Sequence, residues 1–533
     1  MKIFALNLEN HFGVKNRTKN SNVLVYQPKK LPQYNKLSFM ASPLLTKYTT
    51  DFYGLSLLNQ TNTLNRNSIK YNQAISDIKN AGFERLFKTR EIQPLENEHP
   101  VLWSVTSEFA PIKEGGLGSV PPEIKNNSEK LDVNIPTFIP MYLNEGKYTF
   151  LEEDGKYYYN TGNKEFELNK LISFKMDTFQ NGKIQTLPIE IYSTKQKDDS
   201  KAPLIFIKAD KYFDGTIYET SAKTEEAEKF AVFSKAVYEF AKLKFDGARA
   251  LKDVHIFSSN ELEKIKKPDG MILNDWQASP IAALMRYKAP MENANNQLSD
   301  NSANSLKNMT IATIGHNCAY QGSTQSNNNN EQRREASNNI LNTLFDKYTN
   351  DIVQNARTYA TSTNPSDADL INLDNPLVLN YSNPWENSVN FLNMGIVLSD
   401  YFSPVSKNYA QELIDPNKNE LSGIVQWALT QKEKSGRLIG IINGNDYNHL
   451  NIEAKAPQIK KTTGIDFKTY NRNSSKDDII SARLDNKFKL YDEYMRPATD
   501  SDDIDLELYK KVKAVSSNIE FYKGKNNLSL PKN

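Results

Sequence analysis

The stretch VLWSVTSEFAPIKEGGLGSV, residues 101–120, constrains the fold more than any other part of this chain. Val101–Thr106 is a short, mostly apolar run of β-formers bounded by polar residues, which predicts a buried parallel strand. Gly115, Gly116 and Gly118 follow, and Val120–Leu131 then predicts a helix whose first turn is restricted by Pro121 and Pro122. A strand, a glycine loop and a helix bring backbone N–H groups to an anion at the carboxyl end of a strand. Lys113, just before the glycines, adds a mobile cation. A phosphorylated ligand is the expectation from this segment.

A regular alternation of strands and helices continues from there. Val133–Tyr142 predicts a second strand. Tyr148–Ile207 alternates aromatic and polar residues around Asp154-Gly155 and Asn181-Gly182, which predicts antiparallel hairpins inserted after that strand. Thr224–Lys244 carries Ala227, Phe230, Ala231, Val237 and Ala241 at helical spacing, with Thr224 as its expected N-cap. Strands follow at Met271–Leu273, Met309–Ile314, Tyr401–Val405 and Arg437–Ile442, and helices at Trp276–Tyr287, Gln332–Lys347, Val389–Val397 and Lys407–Leu413. Asn293–Asn308 and Gln325–Asn330 are rich in Asn and Ser and read as loops. The whole predicts an α/β domain over roughly 99–450, with a doubly wound, mainly parallel sheet and inserted β-hairpins.

Residues 1–98 read as an N-terminal extension, partly disordered, with a small patch around Leu37–Leu58 and an amphipathic helix at Ile69–Phe87. Residues 451–533 read as a charged, partly helical tail, with helices near Ala482–Tyr494 and Leu506–Val515. Lys plus Arg is 66 against 64 Asp plus Glu, so no general polyanion-binding surface is expected and nucleic acid is not an expected partner. The single cysteine, Cys318, excludes an intramolecular disulfide and is expected to be a small buried residue. No run approaches the ~18 apolar residues of a membrane span, and the N-terminus lacks the apolar core of a signal peptide. A cytoplasmic protein without a membrane partner is expected.

The unusual polar residues gather at strand ends, where ligands of open α/β sheets sit. After the first strand come Glu108, Lys113 and the glycine loop; after the third come Asn274, Asp275, Trp276 and Gln277. After the fourth comes GHNCAYQG, with His316, Asn317, Tyr320, Gln321 and Gly322; Asn390 is placed in a later helix and Ser406 at a strand end. Amides and carboxylates hydrogen-bond hydroxyls, and aromatic rings cover the apolar faces of a pyranose, so this rim suits a sugar. Asp275 is equally placed to cap the following helix, Asn390 to serve as a packing amide, and Trp276 and Tyr320 to lie in the core. Tyr157, Tyr158 and Tyr159 fit either a glucan-binding face or an exposed β face.

Together these segments resemble the starch and bacterial glycogen synthase family. SEFAPIKEGGLGSV is similar to its SEVAPFAKTGGLGDV, with one residue fewer before Lys113 and with Ser119 in place of Asp. PDGMILNDWQASPIAAL is similar to PDVVHAHDWQAGLAP, with Asn274 where His is usual, and IATIGHNCAYQG to TIHNLAYQG, with Gly315 inserted. AEKFAVFSKAVYEFA, NFLNMGIVLSDYFSPVSKNYAQEL and GRLIGIINGNDYNHLN resemble three further family segments in the family's order.

The resemblance implies the N-terminal, Rossmann-like half of a GT-B glycosyltransferase. It implies glucosyl transfer with retention from ADP-glucose to an α-1,4-glucan, with ADP-glucose as substrate, no cofactor and no metal. It places His316 and Asp275 as catalytic residues. It places Lys113, Gly115, Gly116, Leu117, Gly118, Gln277, Asn317, Tyr320, Gln321 and Asn390 at the substrate. Lys113 and the loop amides would face the departing diphosphate, and His316, Asp275 and Asn390 the glucosyl ring. The family's second Rossmann-like domain, with its Ser-Arg-Leu segment and EPCGL-type glutamate, finds no counterpart after Asp446. The expectation is a half-enzyme of weak or no activity alone, completed in trans by a C-terminal half; the alternative is a non-catalytic glucan-binding or regulatory module.

Overall fold

The computed structural model describes residues 69–88, 99–143, 150–160, 165–195, 202–218 apart from 214 and 216, 223–323, 335–346, 389–415, 417–418, 421, 423–443, 452–471 and 473–494. The expected patch at Leu37–Leu58, the loop at Gln325–Asn330 and the helix at Leu506–Val515 lie outside them. The chain divides into two compact units, Met1–Asn443 and Gly444–Asn533.

In the first unit, helix α1 (Ile69–Phe87) precedes strand β1 (Leu102–Val105). Helix α2 (Val120–Glu129) accepts both prolines in its first turn, where the missing N–H groups have no helical partner anyway. Strand β2 (Thr137–Pro140) leads into β3 (Phe150–Glu153), β4 (Lys156–Asn160), β5 (Glu165–Gln180), β6 (Lys183–Thr194) and β7 (Leu204–Lys208). Helix α3 (Lys223–Asp246) starts one residue before Thr224, which therefore lies inside its first turn. Next come β8 (Lys252–Ile256), β9 (Gly270–Asn274), the short helix α4 (Asp275–Ala278), α5 (Asp300–Asn308) and β10 (Thr310–Gly315). Then follow α6 (335–346), α7 (Phe391–Leu398), β11 (Tyr401–Pro404), α8 (Lys407–Ile414) and α9 (Gly423–Lys434).

The strands form one sheet in the order β11-β10-β9-β1-β2-β7-β6-β5-β4-β3, with β8 paired to β5. From β11 to β7 every pair is parallel; β7 to β3 is the antiparallel insertion that the hairpin signals predict. The chain winds outward from β1 through β2 to β7, then returns to lay β9 on the other side of β1. That reversal opens a crevice between the carboxyl ends of β1 and β9.

Helix α3 fills the core beside the sheet, with Phe230, Phe233, Val237, Tyr238, Phe240 and Ala241 fully buried. Trp103 of β1, Phe138 of β2 and Phe240 of α3 form an aromatic cluster with ring centroids 4.6–5.6 Å apart. The hairpin tyrosines also pack inward: Tyr159 is buried against Phe206, and Tyr157 meets Tyr192 edge-on at 5.3 Å. Helix α1 buries Ala74, Ile78, Ala81 and Leu86. Beside it lies Asp400, which accepts from Arg286 at 3.1 Å and from the Ile311 amide at 2.9 Å, with Arg85 and Arg437 at 3.7 and 3.9 Å.

Four expectations are corrected. The expected loop Asn293–Asn308 contains helix α5, because Ser299 caps it by accepting from the Ser302 amide while Ala303 and Leu306 enter the core. The expected strand Arg437–Ile442 makes a single parallel bridge, Leu438 to Phe402. Gly440 then presses against Ser406, where a Cβ would stand 2.4 Å from the carbonyl oxygen. The expected helix Trp276–Tyr287 divides into Asp275–Ala278, Pro280–Ala283 and a π turn at Leu284–Lys288, because Pro280 restarts it and Ser279 Oγ bonds the Asp275 carbonyl at 2.9 Å. The strand expected at Val133–Tyr142 shrinks to Thr137–Pro140, preceded by an isolated bridge at Asn134.

The second unit contains α10 (Ile452–Thr463) and α11 (Lys476–Tyr494). Asn486 of α11 clamps the Lys468 backbone with two hydrogen bonds of 2.7 and 2.8 Å.

Candidate functional site

The crevice beside β1 is built first around Glu108, whose carboxylate is buried. Its Oε2 accepts from the amides of Glu114 and Gly115 at 3.0 and 3.1 Å, and its Oε1 accepts from the Tyr218 hydroxyl. Two amides of the glycine loop, expected at a phosphate, are therefore turned inward to a carboxylate of the protein itself. Gly118 is where this folding-back requires glycine: a Cβ there would lie 2.3 Å from Lys113 Cβ and 3.0 Å from Glu108 Oε2. Leu117 is buried, so only its backbone can meet a ligand. Gly115 and Gly116 have open space where a side chain would be. Lys113 is exposed, with Nζ 3.4 Å from Ser119 Oγ.

The end of β9 supplies the second wall. Asp275 is buried and adopts φ +61°, a left-handed conformation that Asp tolerates better than most residues. Its Oδ1 has no hydrogen-bond partner among the described residues. Burial raises its carboxyl to about 8, against the pull of the Asn317, His316 and Trp276 amides. At neutral pH Asp275 therefore holds its proton, offering a hydroxyl donor and an acceptor rather than a base. Gln277 is buried, with Nε2 3.3 Å from the Tyr218 hydroxyl and Oε1 without a partner among the described residues. Trp276 lies in the core, edge-on to Phe230 at 5.1 Å, and its ring blocks any side chain at Gly322, whose φ is +61°.

The end of β10 supplies the third wall. His316 is half-buried, its Nε2 3.3 Å from Asn274 Oδ1, and burial lowers its pKa to about 4. Asn317 is exposed and turns its Oδ1 to the Ala319 amide at 3.2 Å. Tyr320 is 69% exposed, so the core reading of this ring is corrected, while Cys318 is buried as expected. Asn390 is not within a helix but caps α7: its Oδ1 accepts from the Asn393 amide at 3.0 Å, and its Nδ2 donates to Gln321 Oε1 at 2.6 Å. Ser406 likewise caps α8. The amide of Asn390 thus fixes the loop that carries Gln321.

The structure brings Glu108, Asp275, Gln277 and His316 to one crevice, with Lys113 exposed on the glycine loop beside Glu108. Motif reading missed Tyr218, which joins Glu108 to Gln277, because it lies in a segment without periodicity. Asn274 is in view among the strand-end amides and as a departure from the family's usual His, but its contact with His316 is not. Amide, imidazole and carboxyl groups in a crevice, with the exposed Lys113 at its edge, suit hydroxyls next to an anionic group. Among the described residues no three His, Cys, Asp or Glu side chains converge as metal ligands, and no helix is long and apolar enough to cross a membrane.

The model of the starch synthase catalytic domain matches residues 101–427, more than half of the chain. The chain belongs to the starch synthase catalytic domain family. Its relatives include a glycogen synthase of Clostridium acetobutylicum, 25% identical over 66% of this chain and 54% of that protein. A glycogen synthase of Clostridium kluyveri is 33% identical over 23% of this chain and 22% of that protein. Among solved structures, the catalytic domain of starch synthase IV from Arabidopsis thaliana bound to ADP and acarbose aligns with a TM-score of 0.42 and 18% identity, over 71% of this chain and 61% of that one. The chain thus spans about half, or less, of the length of the curated relatives it matches. Within the family match lie β1 to β11 and every residue of the crevice; α1 precedes it.

Proposed function

We propose that this chain forms the glucose-recognising part of a glucosyltransferase that takes ADP-glucose as donor and an α-1,4-glucan as acceptor. The observation that carries the reading is the pair of polar side chains at the carboxyl end of β9, Asp275 and Gln277, each with one oxygen that meets no donor among the described residues. Family membership and the neighbouring neutral His316 point the same way.

In this reading His316, Asp275 and Gln277 orient the glucosyl ring. Lys113 offers positive charge to the departing diphosphate, an electrostatic role that grows as the bond breaks. The inward-turned amides of Glu114 and Gly115 leave that role within the loop chiefly to Lys113.

Incorporation of labelled glucose from ADP-glucose into glycogen tests the reading. It is measured with the chain alone and with the remaining half of a glycogen synthase added in trans. Transfer that appears or rises on addition, and falls at least tenfold with His316→Ala, supports it. Absence of both transfer and ADP-glucose binding under all conditions rejects it. The inward-turned loop amides also fit a second reading, a glucan-binding module without turnover. Co-sedimentation with glycogen unaffected by ADP-glucose would favour that one.

A further inference from the structure

Asn274 is the last residue of β9, and its buried amide reaches both neighbouring strands. Its Nδ2 lies 3.2 Å from Ser104 Oγ and 3.1 Å from the carbonyl oxygen of Val105, both on β1. Its Oδ1 lies 3.3 Å from Nε2 of His316, the residue that follows β10. A carbonyl oxygen only accepts, so the nitrogen of the amide must be the atom facing Val105. The opposite atom is then oxygen, which also only accepts, and the facing ring nitrogen must donate to it.

We propose that Asn274 is a positioning residue that holds His316 as the Nε2–H tautomer, leaving Nδ1 as an acceptor for a sugar hydroxyl. The hydroxyl half rests on the glucosyl reading above; the tautomer half rests on the strand geometry alone. Burial keeps the ring neutral at pH 7, so a single proton is shared between two nitrogens and Asn274 decides its place. Among the described residues no donor meets Nδ1. An acceptor nitrogen is selective: a hydroxyl can donate to it, whereas a phosphate or carbonyl oxygen cannot.

Asparagine fixes the direction of the contact because β1 engages its nitrogen. The segment reads as ordinary strand-end sequence, so this role becomes visible only when the three strands lie side by side.

The test is long-range 1H–15N correlation on the full chain labelled with 15N-histidine, with the signal of His316 among the five histidines identified by its loss in His316→Gln. The expected pattern is a protonated Nε2 and an unprotonated Nδ1. The Asn274→Leu variant, of similar size, should lose this preference and give mixed tautomers. A protonated Nδ1 in the unchanged protein, or an Asn274→Leu spectrum identical to it, overturns the proposal. If Asn274→Leu fails to fold, the spectrum of the unchanged chain still decides.

Titration with ADP-glucose should then shift Nδ1 toward a hydrogen-bonded value. One deoxyfluoro analogue, lacking the donating hydroxyl, should fail to do so and bind at least tenfold more weakly. The expected tautomer with no response to ADP-glucose or to glucan rejects the hydroxyl half together with the glucosyl reading. The opposite tautomer with a clear response rejects this inference and leaves the glucosyl reading standing.

Discussion

Asp275→Asn offers the sharpest physical test, because a buried carboxyl that resists ionisation leaves a signed mark on stability. The carboxyl moves from an ordinary 3.8 to about 8 in the folded chain. Between these values the unfolded chain has released the proton and the folded chain still binds it, so stability falls as pH rises from about 4 to about 8 and is level above. At about 1.4 kcal/mol per pH unit, the full span gives an upper bound of about 6 kcal/mol. Local relaxation and partial hydration bring the expectation to roughly 2–4 kcal/mol. Asparagine matches the protonated acid in shape, keeps one donor and one acceptor, tolerates φ +61° and cannot ionise. Urea unfolding of the chain, followed by tryptophan fluorescence at pH 5, 7 and 9, reads the difference. The variant should be close to the unchanged protein at pH 5 and more stable by roughly 2–4 kcal/mol at pH 9. Parallel stability curves for the two proteins across this range would refute the assignment of a neutral Asp275.

Four further outcomes follow from other parts of the structure. His316, lowered to about 4, gives stability that is complete above about 6.5 and is lost as pH falls toward 4; His316→Gln should remove most of that slope, at most about 3 kcal/mol, in the same urea assay. Asp400→Ala leaves Arg85, Arg286 and Arg437 without their shared carboxylate and should cost about 3–5 kcal/mol, read as a fall in Tm. Removing residues 1–88 strips α1 from the buried side chains of the first unit and should yield an aggregating or less stable protein, read as a fall in Tm. Gly118→Ala forces a contact of 2.3 Å with Lys113 and should cost about 1–3 kcal/mol, whereas Gly116→Ala meets open space and should leave Tm nearly unchanged.

Much of this fold is legible wherever a short-range signal and burial agree. Ile69–Phe87 forms a helix over the range its periodicity predicts, and β1, β9, β10 and β11 fall on their apolar runs. The signal fails where polar sequence is recruited by caps, as in α5, where Ser299 and two buried apolar residues outweigh an Asn-rich composition. It also fails where a backbone contact ends a pairing, as at Gly440. At the site, the motifs bring Asp275, Gln277 and His316 into view, but the protonation of Asp275 and His316 depends on burial that no local sequence encodes. The internal use of the loop amides by Glu108 is likewise a long-range fact. Glu108 is in view as a strand-end acid, yet its partner Tyr218 lies 110 residues away.

The central claim is that the crevice between β1, β9 and β10 recognises glucose hydroxyls. Calorimetric titration of ADP-glucose and of ADP into the purified chain tests it most directly. The account predicts that ADP-glucose binds more tightly than ADP, by tenfold or more, and that the difference disappears in a chain carrying both His316→Ala and Gln277→Ala. Equal affinities for the two ligands, or a preference for ADP-glucose that survives both substitutions, would contradict it.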